Sequence, residues 1–125
     1  MGITFVDGVV TGPGGRQATV RFLVDSGAMY TLLPDSIWQA IGLTPRRAQE
    51  FTLADGTGIE RQISECHIRL PQGEGHTPVI LGQPGDAALL GIVTLEMLGL
   101  LLNPLTRELQ PMHMRLSSIG GPSRG

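Results

Sequence analysis

The chain has 125 residues, enough for one domain with a single core and too few for two. Hydrophobic residues make up 41% and the formal net charge is -2, so neither nucleic acid nor an anionic membrane is expected as a partner. No stretch approaches the roughly 18 consecutive apolar residues of a membrane span, Met1 to Thr4 lack the basic start and long apolar run of a signal peptide, and the lone Cys66 excludes an intrachain disulfide; a soluble, cytoplasmic protein is expected.

With Gly 18 and Pro 9, many turns between short strands are expected, and therefore an all-β fold. Ile3 to Val10 reads as a strand, and Thr11 to Gly15 as a turn. Gln17 to Val24 alternates, with Ala18, Val20, Phe22 and Val24 on one face, so it forms a hairpin with the first strand. Asp25-Ser26-Gly27-Ala28 breaks the strand, and Tyr30 to Leu33 resumes it. Pro34-Asp35 opens a short helix through Ile37, Trp38 and Ile41, ended by Gly42.

Phe51 to Ala54 and Ile59 to Ile63 flank Asp55-Gly56-Thr57-Gly58, a hairpin signal with a glycine-rich tip. Ser64 to Leu70 extends its second arm, Pro71 to Gly75 is read as a turn, and Thr77 to Leu81 as a further strand. Leu89-Leu90-Gly91 leads into a segment of helical spacing, Val93 to Leu98, capped by Gly99. Leu100 to Leu102 is a short buried strand, Asn103 to Thr106 a turn and Glu108-Leu109 the return. Met112, Met114 and Leu116 alternate as one more strand, and Ser117 to Gly125 is a polar tail expected to be flexible.

The sharpest feature is Phe22-Leu23-Val24-Asp25-Ser26-Gly27-Ala28. An apolar strand delivers a carboxylate into a tight turn, with a hydroxyl beside it and a glycine that permits close backbone approach. An isolated buried carboxylate is costly without a purpose. Asp-Ser-Gly alone is a weak signal, because all three residues form turns readily.

Together these features resemble the retroviral-type (retropepsin-like) aspartic peptidases. Their mark is an apolar run followed by Asp-Thr/Ser-Gly-Ala, then a flap hairpin, then two apolar residues and a glycine before a short helix. Here the three pieces are Asp25 to Ala28, Asp55 to Gly58 and Leu89-Leu90-Gly91, and the resemblance runs from about Phe5 to Leu109. It implies a closed-barrel-like acid-protease fold with one or two short helices, a flap and a C-terminal helix, as one domain over residues 1–116 with a tail over 117–125.

It also implies an aspartic endopeptidase with Asp25 as the catalytic carboxylate, supported by Ser26, Gly27 and Ala28. Such chemistry needs two carboxylates sharing a proton, and no other Asp here has the strand-Asp-Ser-Gly context. The second must then come from another copy, so a homodimer is expected. The flap residues Asp55, Gly56, Thr57, Gly58 and Ile59 would close over an extended peptide or protein substrate, with Ala28, Tyr30, Ile59 and Ile92 as apolar pocket linings. Neither cofactor nor metal is expected. The rival reading is a non-catalytic peptide-binding or dimerisation module on the same fold.

Three departures from the family pattern stand out. Met29 and Ile92 occupy positions that usually hold an acid and an arginine in an ion pair, and replacing both partners by apolar groups can be neutral. Val93 stands where Asn or Asp is common, so a hydrogen bond is expected to be absent. Pro111 to Leu116 serves either a sheet shared between subunits or an edge strand of its own subunit.

The remaining polar residues suggest simpler roles. Cys66, His67, His76 and His113 match no standard zinc spacing, and Cys66 reads as a half-buried strand residue. Ser26 lacks the elbow of a serine nucleophile. Asp55 favours the turn at the flap tip, with substrate contact as its other reading.

Overall fold

The apolar side of one strand organises the core. A computed structural model describes residues 3–112. In β2 (Gln17–Val24), Val20, Phe22 and Val24 are buried and Thr19 and Arg21 exposed, as the alternation predicts. Strand β1 (Phe5–Thr11) pairs with it antiparallel, from Phe5↔Leu23 to Thr11↔Gln17. The short strand β3 (Thr31–Leu33) follows, then helix α1 (Asp35–Ala40). Gly42 takes a φ of 79° just beyond the helix, the left-handed conformation that ends helices. Gly12 is required by α1: a Cβ there would lie 1.8 Å from the Ile41 carbonyl oxygen. Trp38 packs against the core and its indole N–H donates to the Gly82 carbonyl at 2.8 Å.

Strands β4 (Arg47–Thr52) and β5 (Gly58–Leu70) form the projecting hairpin, and β5 continues into the body to pair with β6 (Gly73–Leu81). Then come β7 (Leu89–Leu90), helix α2 (Ile92–Met97), and a separate hairpin of β8 (Leu100–Leu102) and β9 (Leu109–Pro111).

The main seven-stranded sheet runs β1-β2-β7-β3-β6-β5-β4, and β1 also pairs with β5 from Val9↔Arg69 to Thr11↔His67. That last pairing closes the sheet into a barrel and leaves β4 outside the ring. Phe22, Leu33, Ile41, Ile68, Leu90 and Leu95 fill its interior. No helix of the described residues is long and apolar enough to cross a membrane.

Three sequence readings need correction. The turn read over Pro71 to Gly75 is only the two residues Pro71 and Gln72, because Leu70 pairs directly with Gly73. Gly75 lies instead in β6 under Leu98, whose Cδ2 would sit 3.1 Å from a Cβ. Cys66 is buried, not half-buried, because it lies on the inward side of β5 with Ser64 and Ile68. The early arm of the projecting hairpin begins at Arg47 and not Phe51. The expected strand through Met114 and Leu116 and the tail over 117–125 fall outside the described residues; Met112 follows β9 and donates its N–H to the Gly99 carbonyl at 2.7 Å.

Candidate active site

Asp25 sits where β2 runs out. The Val24 N–H donates to the Thr4 carbonyl at 2.8 Å and the Asp25 N–H to the Leu90 carbonyl at 3.1 Å. Parallel pairing of Val24 with Leu90 therefore carries on one residue into the turn. The chain then folds back, with the Ala28 N–H donating to the Asp25 carbonyl at 3.0 Å. The Gly27 N–H donates to the Asp25 Oδ1 at 2.9 Å, an Asx turn that fixes the carboxylate. A Cβ at Gly27 would crowd that same oxygen at 3.2 Å.

The second sequence hallmark locks this loop from behind. Strand β7 lies between β2 and β3 and carries Leu90, fully buried, into Gly91. The first amides of α2 have no partners within their own helix. They find them in the Asp25 loop: Ile92 N–H donates to the Ala28 carbonyl and Val93 N–H to the Met29 carbonyl, both at 2.9 Å. A Cβ at Gly91 would lie 2.5 Å from the Tyr30 carbonyl carbon and 2.8 Å from the Met29 oxygen. Only glycine lets α2 approach this closely.

Asp25 is half-buried in the single chain, where the sequence reading expected burial; the loop reaches the surface and β2 contributes no covering residue beyond Val24. Among the described residues, the Gly27 amide is the one hydrogen-bond partner of its carboxylate, and the Ser26 hydroxyl is exposed with none. Met29, beside them, is 63% exposed.

The projecting hairpin reaches this loop through aromatic contact. Phe51, opposite Ile59 in the β4–β5 register, meets Tyr30 edge-on with ring centroids 6.0 Å apart. Phe51 and Ile59 are half-buried while Glu50, Thr52 and Glu60 are exposed, so one hairpin face looks toward the body. The tip is self-contained: Leu53 N–H donates to the Thr57 carbonyl at 2.7 Å, and Gly56 takes a φ of 88°. Asp55 accepts the Thr57 N–H at 2.9 Å, and these bonds with Thr57 hold its carboxyl below the usual carboxylate range. That geometry favours the turn role.

Fold and loop geometry thus bring together Asp25 to Ala28, Tyr30 and Leu89 to Ile92, with Ile59 opposite Phe51 and the Asp55 to Gly58 tip beyond. Residues 14–97 match the family described as "gag-polyprotein putative aspartyl protease". The chain belongs to this aspartyl protease family. Its architecture is the all-β retropepsin fold. The solution structure of simian foamy virus (mac) protease superposes with a TM-score of 0.53 at 15% identity, covering 74% of this chain and 92% of that one. At that identity the likeness concerns the fold alone. Among curated proteins, no sequence matches.

In this retropepsin-like chain a concavity of about 520 Å³ is lined by Asp7, Thr19, Arg69 and Glu74 on the barrel wall, and by no residue of the Asp25 loop. The reactive carboxylate and hydroxyl converge at the Asp25 loop, and concavity without convergent reactive groups is a poor guide to chemistry. Sequence reasoning missed Thr31, whose buried hydroxyl accepts the Gly91 N–H at 3.0 Å. Its signal was its inward parity with Leu33 on β3.

Among the described residues no three His, Cys, Asp or Glu side chains are placed to hold a metal ion. His67 and His76 meet edge-on at 5.3 Å on the outer wall, with Glu74 3.2 Å from His67, while Cys66 faces inward. His113 lies outside the described residues.

Burial pushes the Cys66 thiol up to about 12. An unfolded thiol ionises near 9.0, so the folded chain keeps its proton where the unfolded chain loses it. Stability therefore does not depend on this thiol below 9.0, and it falls as pH rises from there to about 12, where the folded chain ionises too. Cys66 is expected to resist thiol reagents at about pH 8 until the protein unfolds. Rapid labelling of native protein would show the strand to be open.

Proposed function

We propose that this chain is one subunit of a homodimeric aspartic endopeptidase, in which Asp25 from each of two copies forms the catalytic dyad. The observation that carries this reading is the state of the Asp25 loop. A carboxylate is fixed by the Gly27 amide at 2.9 Å yet remains half-exposed, beside an unpartnered Ser26 hydroxyl among the described residues. One carboxylate cannot both accept a proton from water and donate one to the scissile carbonyl oxygen in the same step. Two held close together can, because they cannot both ionise cheaply. A two-fold axis supplies the second with no new residue type.

The surroundings support the same reading. Met29 and Met97, 63% and 59% exposed, put apolar surface beside the loop and on α2. A second copy covering that surface would replace by packing the ion pair that Met29 and Ile92 lack. Each Ser26 hydroxyl would then find a backbone partner across the axis. Substrate would lie extended between the loops and the hairpin, against Ala28, Tyr30, Ile59 and Ile92, with apolar residues favoured around the cleaved bond.

The expected result is cleavage of an unstructured peptide library at acidic to neutral pH, blocked by pepstatin, with sedimentation showing a dimer under assay conditions. A dimer that binds peptides and cleaves none would favour the non-catalytic module. A strictly monomeric active enzyme would contradict the shared dyad.

A further inference from the structure

Behind the Asp25 loop lies a buried chain of three threonine hydroxyls that joins elements far apart in sequence. Thr31 on β3, Thr77 on β6 and Thr94 on α2 are each at most 1% exposed. The Oγ1 atoms of Thr31 and Thr94 are 2.5 Å apart, and those of Thr94 and Thr77 2.8 Å. The Gly91 N–H donates to Thr31 at 3.0 Å, and the Thr77 hydroxyl donates to the Pro78 carbonyl at 3.2 Å.

The two ends fix the direction of the whole chain. An amide N–H only donates and a carbonyl only accepts, and each hydroxyl has one proton. Thr77 spends its proton on Pro78, so it accepts from Thr94. Thr94 has then spent its own, so it accepts from Thr31, which accepts from Gly91. Every donor is used once, and hydrogen bonds aligned in this way polarise and strengthen one another.

Gly91 is flanked by the groups that hold the Asp25 loop: the Leu90 carbonyl receives the Asp25 N–H, and Ile92 and Val93 N–H groups donate to Ala28 and Met29. We infer that the hydroxyl relay Thr31–Thr94–Thr77 sets the position of the Asp25 carboxylate, with Thr94 as its central positioning residue. This inference rests on the proposed role of Asp25. It also answers the absence expected at Val93: the polar group is supplied one residue later, from the side of α2 that faces the core.

Thr94→Val keeps the side-chain shape and removes the link, leaving the Thr31 proton without an acceptor and the Thr77 oxygen without a donor. Thr94→Ser keeps the hydroxyl. The expected result for Thr94→Val is a kcat lower by about tenfold with KM within about twofold, since substrate-contacting groups are untouched. Amide hydrogen exchange at Asp25 and Gly91 is expected to quicken by about tenfold, while Thr94→Ser stays close to the parent in both readings.

Unchanged kcat and unchanged exchange in Thr94→Val would overturn the proposal, and so would failure of Thr94→Ser to restore them. If Thr94→Val does not fold, Thr77→Val, which breaks the far link, is read in the same two ways with the same meaning. The exchange reading needs no activity, so it decides the relay even if the chain cleaves nothing; an inactive parent counts against the peptidase reading alone.

Discussion

Replacing Asp25 by Asn is expected to lower peptide hydrolysis by roughly 10³-fold or more while leaving the fold intact. The size follows from what the carboxylate does in the proposed dyad. One copy takes a proton from water and the other gives one to the carbonyl oxygen, and an amide does neither at accessible pH. The fold survives because the Asn Oδ1 accepts the Gly27 N–H as the Asp25 Oδ1 does at 2.9 Å, so the Asx turn is kept. A well-folded Asp25→Asn protein that still cleaves at the parent rate would remove Asp25 from the chemistry.

Gly91→Ala is expected to produce the largest structural effect near the site, a loss of about 3 kcal/mol of stability together with most of the activity. The added methyl would meet the Tyr30 carbonyl carbon at 2.5 Å and oxygen at 2.6 Å, and these are backbone atoms that no rotamer change can move aside. Relief requires α2 to retreat, which stretches the bonds from Ile92 and Val93 to Ala28 and Met29. Denaturant unfolding measures the first effect and peptide cleavage the second. Stability within about 0.5 kcal/mol of the parent would show that the Asp25 loop and α2 are not locked together as described.

Much of this arrangement is legible from residue pattern. The alternation in Gln17 to Val24 gives β2 with its bounds and its inward face. Asp55-Gly56 between extended arms gives the hairpin, and Gly99, at a φ of 69°, marks the end of α2. The rest was hidden for physical reasons. The first residues of β4, Arg47 to Glu50, have no apolar alternation, because β4 hangs outside the barrel and its pairing with β5 is made by backbone. Gly73 and Gly75 look like turn residues, but Gly75 is small because Leu98 packs over it.

Closure of the barrel depends on Val9 meeting Arg69, a contact between distant segments that no local pattern encodes. The site divides in the same way. Asp25, Gly27 and Gly91 stand out as motif residues. The three threonines do not, since each occupies an inward position where an apolar residue of similar size would fit the pattern equally well.

Mixed dimers offer the most direct measurement of whether two chains share one active site. Parent and Asp25→Asn subunits are unfolded and refolded together, with the parent concentration held fixed, and peptide cleavage is followed as the inactive subunit is increased. Random pairing of a fully dimeric enzyme predicts that about half of the cleavage remains at equal amounts and about a tenth at ninefold excess, because each parent subunit is increasingly paired with an inactive one. Cleavage that stays constant across the titration would show that each chain works alone, and the two-copy dyad would be wrong.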